Sequence, residues 1–155
     1  MKIWMFILIL CFASPTTKAQ VGINTSAPLS MLDINGNLSV KHVSLTGSNS
    51  ITNINDGVYI SVNPTSTDQE FTLPDPASVP GRIYFIRNVS GSTAKLTMYG
   101  GKNFYFSKSW TGSSTQIYMY SNDTCNCNPG DHPNNGSGYR SLIIISDGNN
   151  WNVFN

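Results

Sequence analysis

From residue 20 onward, apolar positions recur at two-residue spacing in short runs, and Gly, Asn, Pro and Ser separate the runs. No stretch there sustains the 3.6-residue spacing of an amphipathic helix, so the pattern predicts many short strands. Strands are expected near 37–45, 58–62, 70–73, 82–89, 95–99, 103–107, 116–120, 140–146 and 151–154. Two stretches read as hairpins. One joins 81–89 to 94–99 through Ser90-Gly91-Ser92-Thr93, and the other joins 141–146 to 151–154 through Asp147-Gly148-Asn149-Asn150. Leu142-Ile143-Ile144-Ile145 is apolar on both faces, which predicts a strand that is central or covered on both sides. The last strand is expected in the core, with Trp151 packed there. In 116–120, Ile117 and Met119 should face inward while Tyr118 and Tyr120 are half exposed. Those tyrosines read first as cross-strand packing against Phe104 and Phe106, and second as a contact surface.

The fold class that follows is all-β: a short extended N-terminal stalk segment, then a small antiparallel β-sandwich or barrel-like domain. The expected divisions are 1–19 as a signal peptide, 20–45 as the stalk, 46–56 as a polar linker and 57–155 as the β domain. The first division rests on Lys2, an uncharged apolar run at 3–12, and small and polar residues ending Thr17-Lys18-Ala19. Ten apolar residues are too few for a membrane-spanning helix, which needs roughly 20. Cys11 follows a bulky Leu10, where a lipid-attachment signal wants a small residue. The chain is therefore expected to be secreted or held at the cell surface, with cleavage after Ala19.

Export changes the charge and thiol inventory. Removing Lys2 and Lys18 takes the basic residues from 9 to 7 against 8 acidic ones, a net charge of −1. A near-neutral chain has no electrostatic footprint for nucleic acid or anionic lipid. Charged residues make up 11% of the chain, against roughly 25% in an ordinary soluble domain. Ser, Thr, Asn and Gly must supply the polar surface, and their low helix propensity argues the same way as the periodicity. Of three cysteines, Cys11 leaves with the signal and Cys125 and Cys127 remain.

The segment after the signal reads Val21-Gly22-Ile23-Asn24-Thr25-Ser26-Ala27-Pro28-Leu29-Ser30-Met31-Leu32-Asp33-Ile34-Asn35-Gly36-Asn37-Leu38. It resembles the V-G-I-x-T-x-x-P-x-x-x-L-D-V/I-x-G segment of phage tail-fibre-like proteins and related secreted proteins of the Bacteroidota. Pro28 should stop the first extended piece, Leu32 and Ile34 point to one face, and Asn35-Gly36 supplies a turn. Such a segment cannot bury its own apolar residues. Val21, Ile23, Leu32, Ile34 and Leu38 are thus expected to pack on copies of the chain or on a partner. Residues 70–155 are similar in layout to the trimeric fibre-head domains found with such segments, through Phe71-Thr72-Leu73-Pro74, the run 80–88 and the closing Ile-rich strand. The resemblance implies a homotrimer with a fibrous or adhesive role. It carries over no catalytic residue, and the family's self-processing Ser/Lys region has no counterpart here.

Chemistry is sparse. The long loop 121–139 holds Asp123, Cys125, Cys127, Asp131 and His132, which are metal-ligand types, but with one residue between the cysteines the spacing fits no familiar zinc motif. The pair stays open between a strained intramolecular disulfide, an intermolecular bridge, free thiols and a metal site. Each version braces a loop tip. His42 stands without a matched nucleophile and reads as a surface or interface residue. Asp56, Asp68, Glu70 and Asp75 cluster in sequence without the Asp-x-Asn-x-Asp spacing of a calcium loop. No G-x-S-x-G, phosphate loop or H-E-x-x-H is present. No cofactor, metal or enzymatic activity is expected. Trp110 lies in a polar stretch where burial is hard, and with Tyr118 and Tyr120 it supports the alternative of a secreted carbohydrate-binding module. The leading expectation is a non-catalytic structural or interaction protein, a homotrimer that engages a surface glycan or protein.

Overall fold

The computed structural model describes residues 20–106, 113–120 and 139–154. The chain divides between Ser39 and Val40 into two compact units. In the first, strand β1 (Val21–Ile23) pairs in parallel with β2 (Leu32–Ile34).

The second unit begins with β3 (His42–Thr46), β4 (Thr52–Asn53), β5 (Tyr59–Asn63), β6 (Gln69–Leu73), β7 (Ile83–Asn88) and β8 (Ala94–Met98). It continues with β9 (Phe104–Phe106), β10 (Ser113–Ser114), β11 (Gln116–Met119), β12 (Ser141–Ser146) and β13 (Trp151–Phe154). These build a seven-stranded sheet, in the order β10-β9-β13-β12-β7-β5-β3, and a four-stranded sheet, β11-β8-β6-β4. Both sheets feed one apolar core, from Ile60, Ile86, Phe104, Ile144 and Trp151 on one side to Phe71, Leu96, Ile117 and Met119 on the other. The architecture is an all-β sandwich, as the strand pattern predicts.

Strand direction is where the sandwich departs from expectation. From β3 to β8 the chain alternates between the sheets, and each strand lies parallel to the one before it in the same sheet. The first half is thus wound in three parallel coils. Antiparallel pairing enters with β10 on β9 and continues with β11 on β8 and β12 on β7 and β13, while β13 lies parallel to β9, so the sheets are mixed rather than antiparallel. The polar stretch 46–56, expected as a linker, carries β4 and the fully buried Ile54. Residues 40–45, expected in the stalk, carry β3, which pairs with β5.

One predicted hairpin holds and the other does not. β12 and β13 pair antiparallel across Asp147-Gly148-Asn149-Asn150, with Ser146 opposite Trp151. Gly148 takes φ +88°, and the Asp147 carboxylate accepts from the Asn149 and Asn150 N–H groups at 2.8 and 2.6 Å. By contrast, β7 and β8 lie in different sheets, and 89–93 is an arch between them. The cause is Asn88. Its side chain points inward and is fully buried. It donates to the Ser92 and Met119 carbonyls at 2.8 and 2.9 Å and accepts from Ser90 N–H at 3.0 Å. Those three bonds turn the chain across the sandwich and tie the arch to β11.

Packing confirms the inward assignments. Trp151 is fully buried, 5.5 Å from the Tyr84 ring, and its indole N–H donates to Pro74 O at 3.1 Å. Ile117 and Met119 are buried. Tyr118 and Tyr120 are half-buried, but β11 pairs with β8 in the smaller sheet while Phe104 and Phe106 lie in the larger one. The expected cross-strand packing of those tyrosines on Phe104 and Phe106 is therefore replaced by a Tyr118–Lys95 pairing. Strand β12 is central, flanked by β7 and β13, yet among the described residues of this unit it is covered on one face alone. Leu142 and Ile144 are buried while Ile143 is 38% exposed.

Candidate functional site

The first unit places apolar residues where nothing among its described residues fully covers them. The parallel register sets Val21 beside Leu32 and Ile23 beside Ile34. Alternation along a strand puts these four side chains on one face and Gly22 and Asp33 on the other. The connection 24–31 folds over the Gly22 face. A Cβ at Gly22 would sit 2.5 Å from Thr25 O and 2.8 Å from Pro28 Cγ, so only glycine admits that approach. The Asp33 carboxylate accepts from Leu29 N–H at 2.9 Å and fixes the returning chain on the same side. Asn24 turns the corner at φ +57°, and its amide donates to Asn35 O at 2.9 Å.

The opposite face stays bare. Val21, Ile23 and Leu32 are 56%, 51% and 57% exposed, and Ile34 is half-buried. Leu38, expected to join them, lies beyond the ribbon and is exposed. The pattern reading missed Leu29 and Met31, at 94% and 81% exposure the most open apolar side chains among the described residues of this unit. The available signal was two large apolar residues set among Pro28, Ser30 and the turn polar groups. A two-stranded ribbon is marginal alone in water. Sealing half-exposed Val, Ile and Leu side chains contributes about 1 kcal/mol each, so the bare face carries several kcal/mol of unused burial per copy.

The other expected sites fall apart or elsewhere. Trp110, Cys125, Cys127, Asp131 and His132 lie outside the described residues, as does the stretch 1–19 expected as a signal peptide. His42 sits on β3 with Nε2 2.9 Å from Ser61 Oγ and its ring 5.1 Å from Tyr59. The four clustered acids disperse. Asp56 pairs with Lys41, and that bond with the Gly57 N–H holds its carboxyl below the usual range. Glu70 pairs with Lys95 at 3.1 Å and accepts from Thr97 at 2.9 Å. Asp75 accepts from Ala77 N–H at the start of a short 3-10 turn, and Asp68 occupies a corner at φ +60°. Among the described residues, no three His, Cys, Asp or Glu side chains gather as a metal-holding group. Nor is any helix there long and apolar enough to cross a membrane.

Tyr118 and Tyr120 lie close together near the smaller sheet's outward face. Burial pushes the Tyr120 hydroxyl above its ordinary pKa, and the Asp68 and Tyr118 charges add to the rise. A separate open groove of about 320 Å³ is lined by Asn53, Asn55, Thr72, Asp75, Ser78 and Tyr99. Tyr99 is 69% exposed and enters a 3-10 turn with Gly100 at φ +82°. The signal for it was an aromatic residue directly before a Gly-Gly pair.

No family model, curated protein or solved structure matches this chain.

Proposed function

We propose that this chain is an exported, non-catalytic structural or adhesive protein whose N-terminal ribbon joins copies of itself, three in the arrangement that the fibre-like resemblance implies. The observation that carries the reading is the bare ribbon face of Val21, Ile23, Leu32 and Ile34, opposite a face closed by its own connection. A folded unit that closes one side and leaves the apolar side open is built for a partner. A copy of the same ribbon is the simplest partner, because closed symmetry lets one patch serve every subunit.

Sedimentation equilibrium on the chain from Gln20 onward, under reducing conditions that keep Cys125 and Cys127 apart, tests this. An oligomer whose mass Ile23→Asp or Leu32→Asp lowers, with the thermal melt unchanged, supports it. An oligomer unmoved by either substitution, or a monomer at every concentration, refutes it.

A second reading, carbohydrate binding, is favoured by the Tyr99 groove. An exposed aromatic face beside two amides and a carboxylate matches the mixed apolar and hydroxyl surface of a sugar ring. Binding on a glycan array that Tyr99→Ala abolishes and Trp110→Ala spares would locate it there. Loss with Trp110→Ala alone would return it to the polar stretch around Trp110.

A further inference from the structure

The outward faces of the two sheets differ in kind. On the smaller sheet, the outward Glu70, Thr72, Lys95 and Thr97 bond to one another, through the Glu70–Lys95 pair, the Glu70–Thr97 bond and a Thr72–Thr97 hydroxyl contact. That face satisfies itself and suits water. On the larger sheet, register sets His42, Tyr59, Phe85, Ile143 and Phe154 side by side across five strands. The next row reads Ile83, Ile145, Asn152 and Tyr105. Ile83, Phe85, Tyr105, Ile143 and Phe154 are each 38–43% exposed. A groove of about 360 Å³ runs along Tyr59, Phe85, Ile143 and Phe154, bounded by Arg87 and Ser141.

We propose that this face of the seven-stranded sheet is a second self-association surface, covered in the assembled protein by the same face of another copy. The inference rests on the oligomeric reading above and adds a surface distinct from the ribbon. Its composition is that of a homomeric interface core. Aromatic and β-branched residues and one arginine are present, and the two rows hold no Asp, Glu or Lys. Two such faces can meet without opposing carboxylates or burying a lysine. Arg87 is exposed, and its guanidinium has no partner among the described residues. It is positioned on the rim, where a charge guides docking without needing to be buried.

Size supports the same occupant. Seven strands at a spacing of about 4.8 Å make the face roughly 30 Å wide. Two copies sealed across it would bury about 1,000 Å² in total, the lower bound of a specific interface. A sugar chain fits this face poorly, because Ile83, Ile143 and Ile145 occupy its middle and offer neither a stacking ring nor a hydrogen bond. With a ribbon that gathers copies at one place and a sheet face that pairs them at another, each chain has two independent contacts. Repeated, those contacts extend an assembly beyond the closed oligomer that a single contact would give.

Sedimentation equilibrium on four proteins tests this: the native chain, the ribbon variant Ile23→Asp, the sheet variant Phe85→Asp, and the double variant. Ile143→Thr serves as a milder second sheet variant, and a thermal melt by circular dichroism shows that each is folded. The expected result is that the ribbon variant still dimerises, that adding Ile143→Thr to it weakens this dimer at least tenfold, and that the double variant with Phe85→Asp is a monomer. If Ile23→Asp alone yields a monomer at every concentration, the sheet face is not an interface and the proposal fails while the ribbon reading survives. If Ile23→Asp changes nothing while the sheet variants give monomers, the ribbon reading fails and this one stands. Folded sheet variants with unchanged assembly overturn the proposal.

Discussion

Asn88→Ala removes the group that turns the chain from one sheet to the other. Three hydrogen bonds go with it: those to Ser92 O, to Met119 O and from Ser90 N–H, at 2.8, 2.9 and 3.0 Å. The Ser90 and Ser92 groups are half-buried and can recover water, so each costs about 1 kcal/mol. The Met119 carbonyl is buried and would lose its side-chain donor where water does not replace it, which costs about 2 kcal/mol. The expected destabilisation is about 4 kcal/mol, a large part of the 5–15 kcal/mol typical of a whole domain. Urea unfolding reads it directly. With a slope near 2 kcal/mol/M, the midpoint should fall by about 2 M at unchanged slope. Asn88→Asp keeps the shape but faces two carbonyls with a carboxylate, and should be at least as damaging at pH 7. A loss below about 1 kcal/mol for Asn88→Ala would refute the reasoning, because it would mean that the arch is held by something other than this side chain.

Gly47→Ala drives a methyl group into the Gln69 amide, which accepts from Thr65 N–H at 2.7 Å, so a lowered melting temperature is expected, and an unchanged one would show that the turn yields freely. Gly22→Ala should open the ribbon connection and lower the oligomer's mass while leaving the melt of the larger unit in place. The Asp147 carboxyl is held below its usual pKa by Asn150 N–H, the Asn152 amide and Asn149 N–H. A folded pKa below the unfolded value of about 3.9 adds stability above that pH and loses it as pH falls through the folded pKa. Melting temperature should therefore drop more between pH 5 and pH 2 in the native chain than in Asp147→Asn. The group is exposed, so the difference is small, and equal slopes would contradict it.

The Asp147-Gly148 hairpin, the inward Trp151 and the alternation of Ile117 and Met119 were legible because each depends on local preferences: a left-handed glycine, an apolar period, a turn carboxylate. The apolar ribbon was legible as a set of residues too exposed to stand alone. Which face they share was not, because that depends on a parallel register and on the connection folding over Gly22. The arch at 89–93 shows the limit most clearly. An apolar run, a short polar stretch with glycine and a second apolar run describe a hairpin and an arch equally well. What separates them is whether an inward polar side chain finds partners across the sandwich, as Asn88 does on Met119, 31 residues away. The same holds for Leu142–Ile145. Its composition by itself pointed to a strand that is central or covered on both sides, since four apolar residues in a row leave no polar face. Only the tertiary structure decided that, among the described residues of this unit, one of its faces carries no second layer, because the described strands wind as two sheets around a single core.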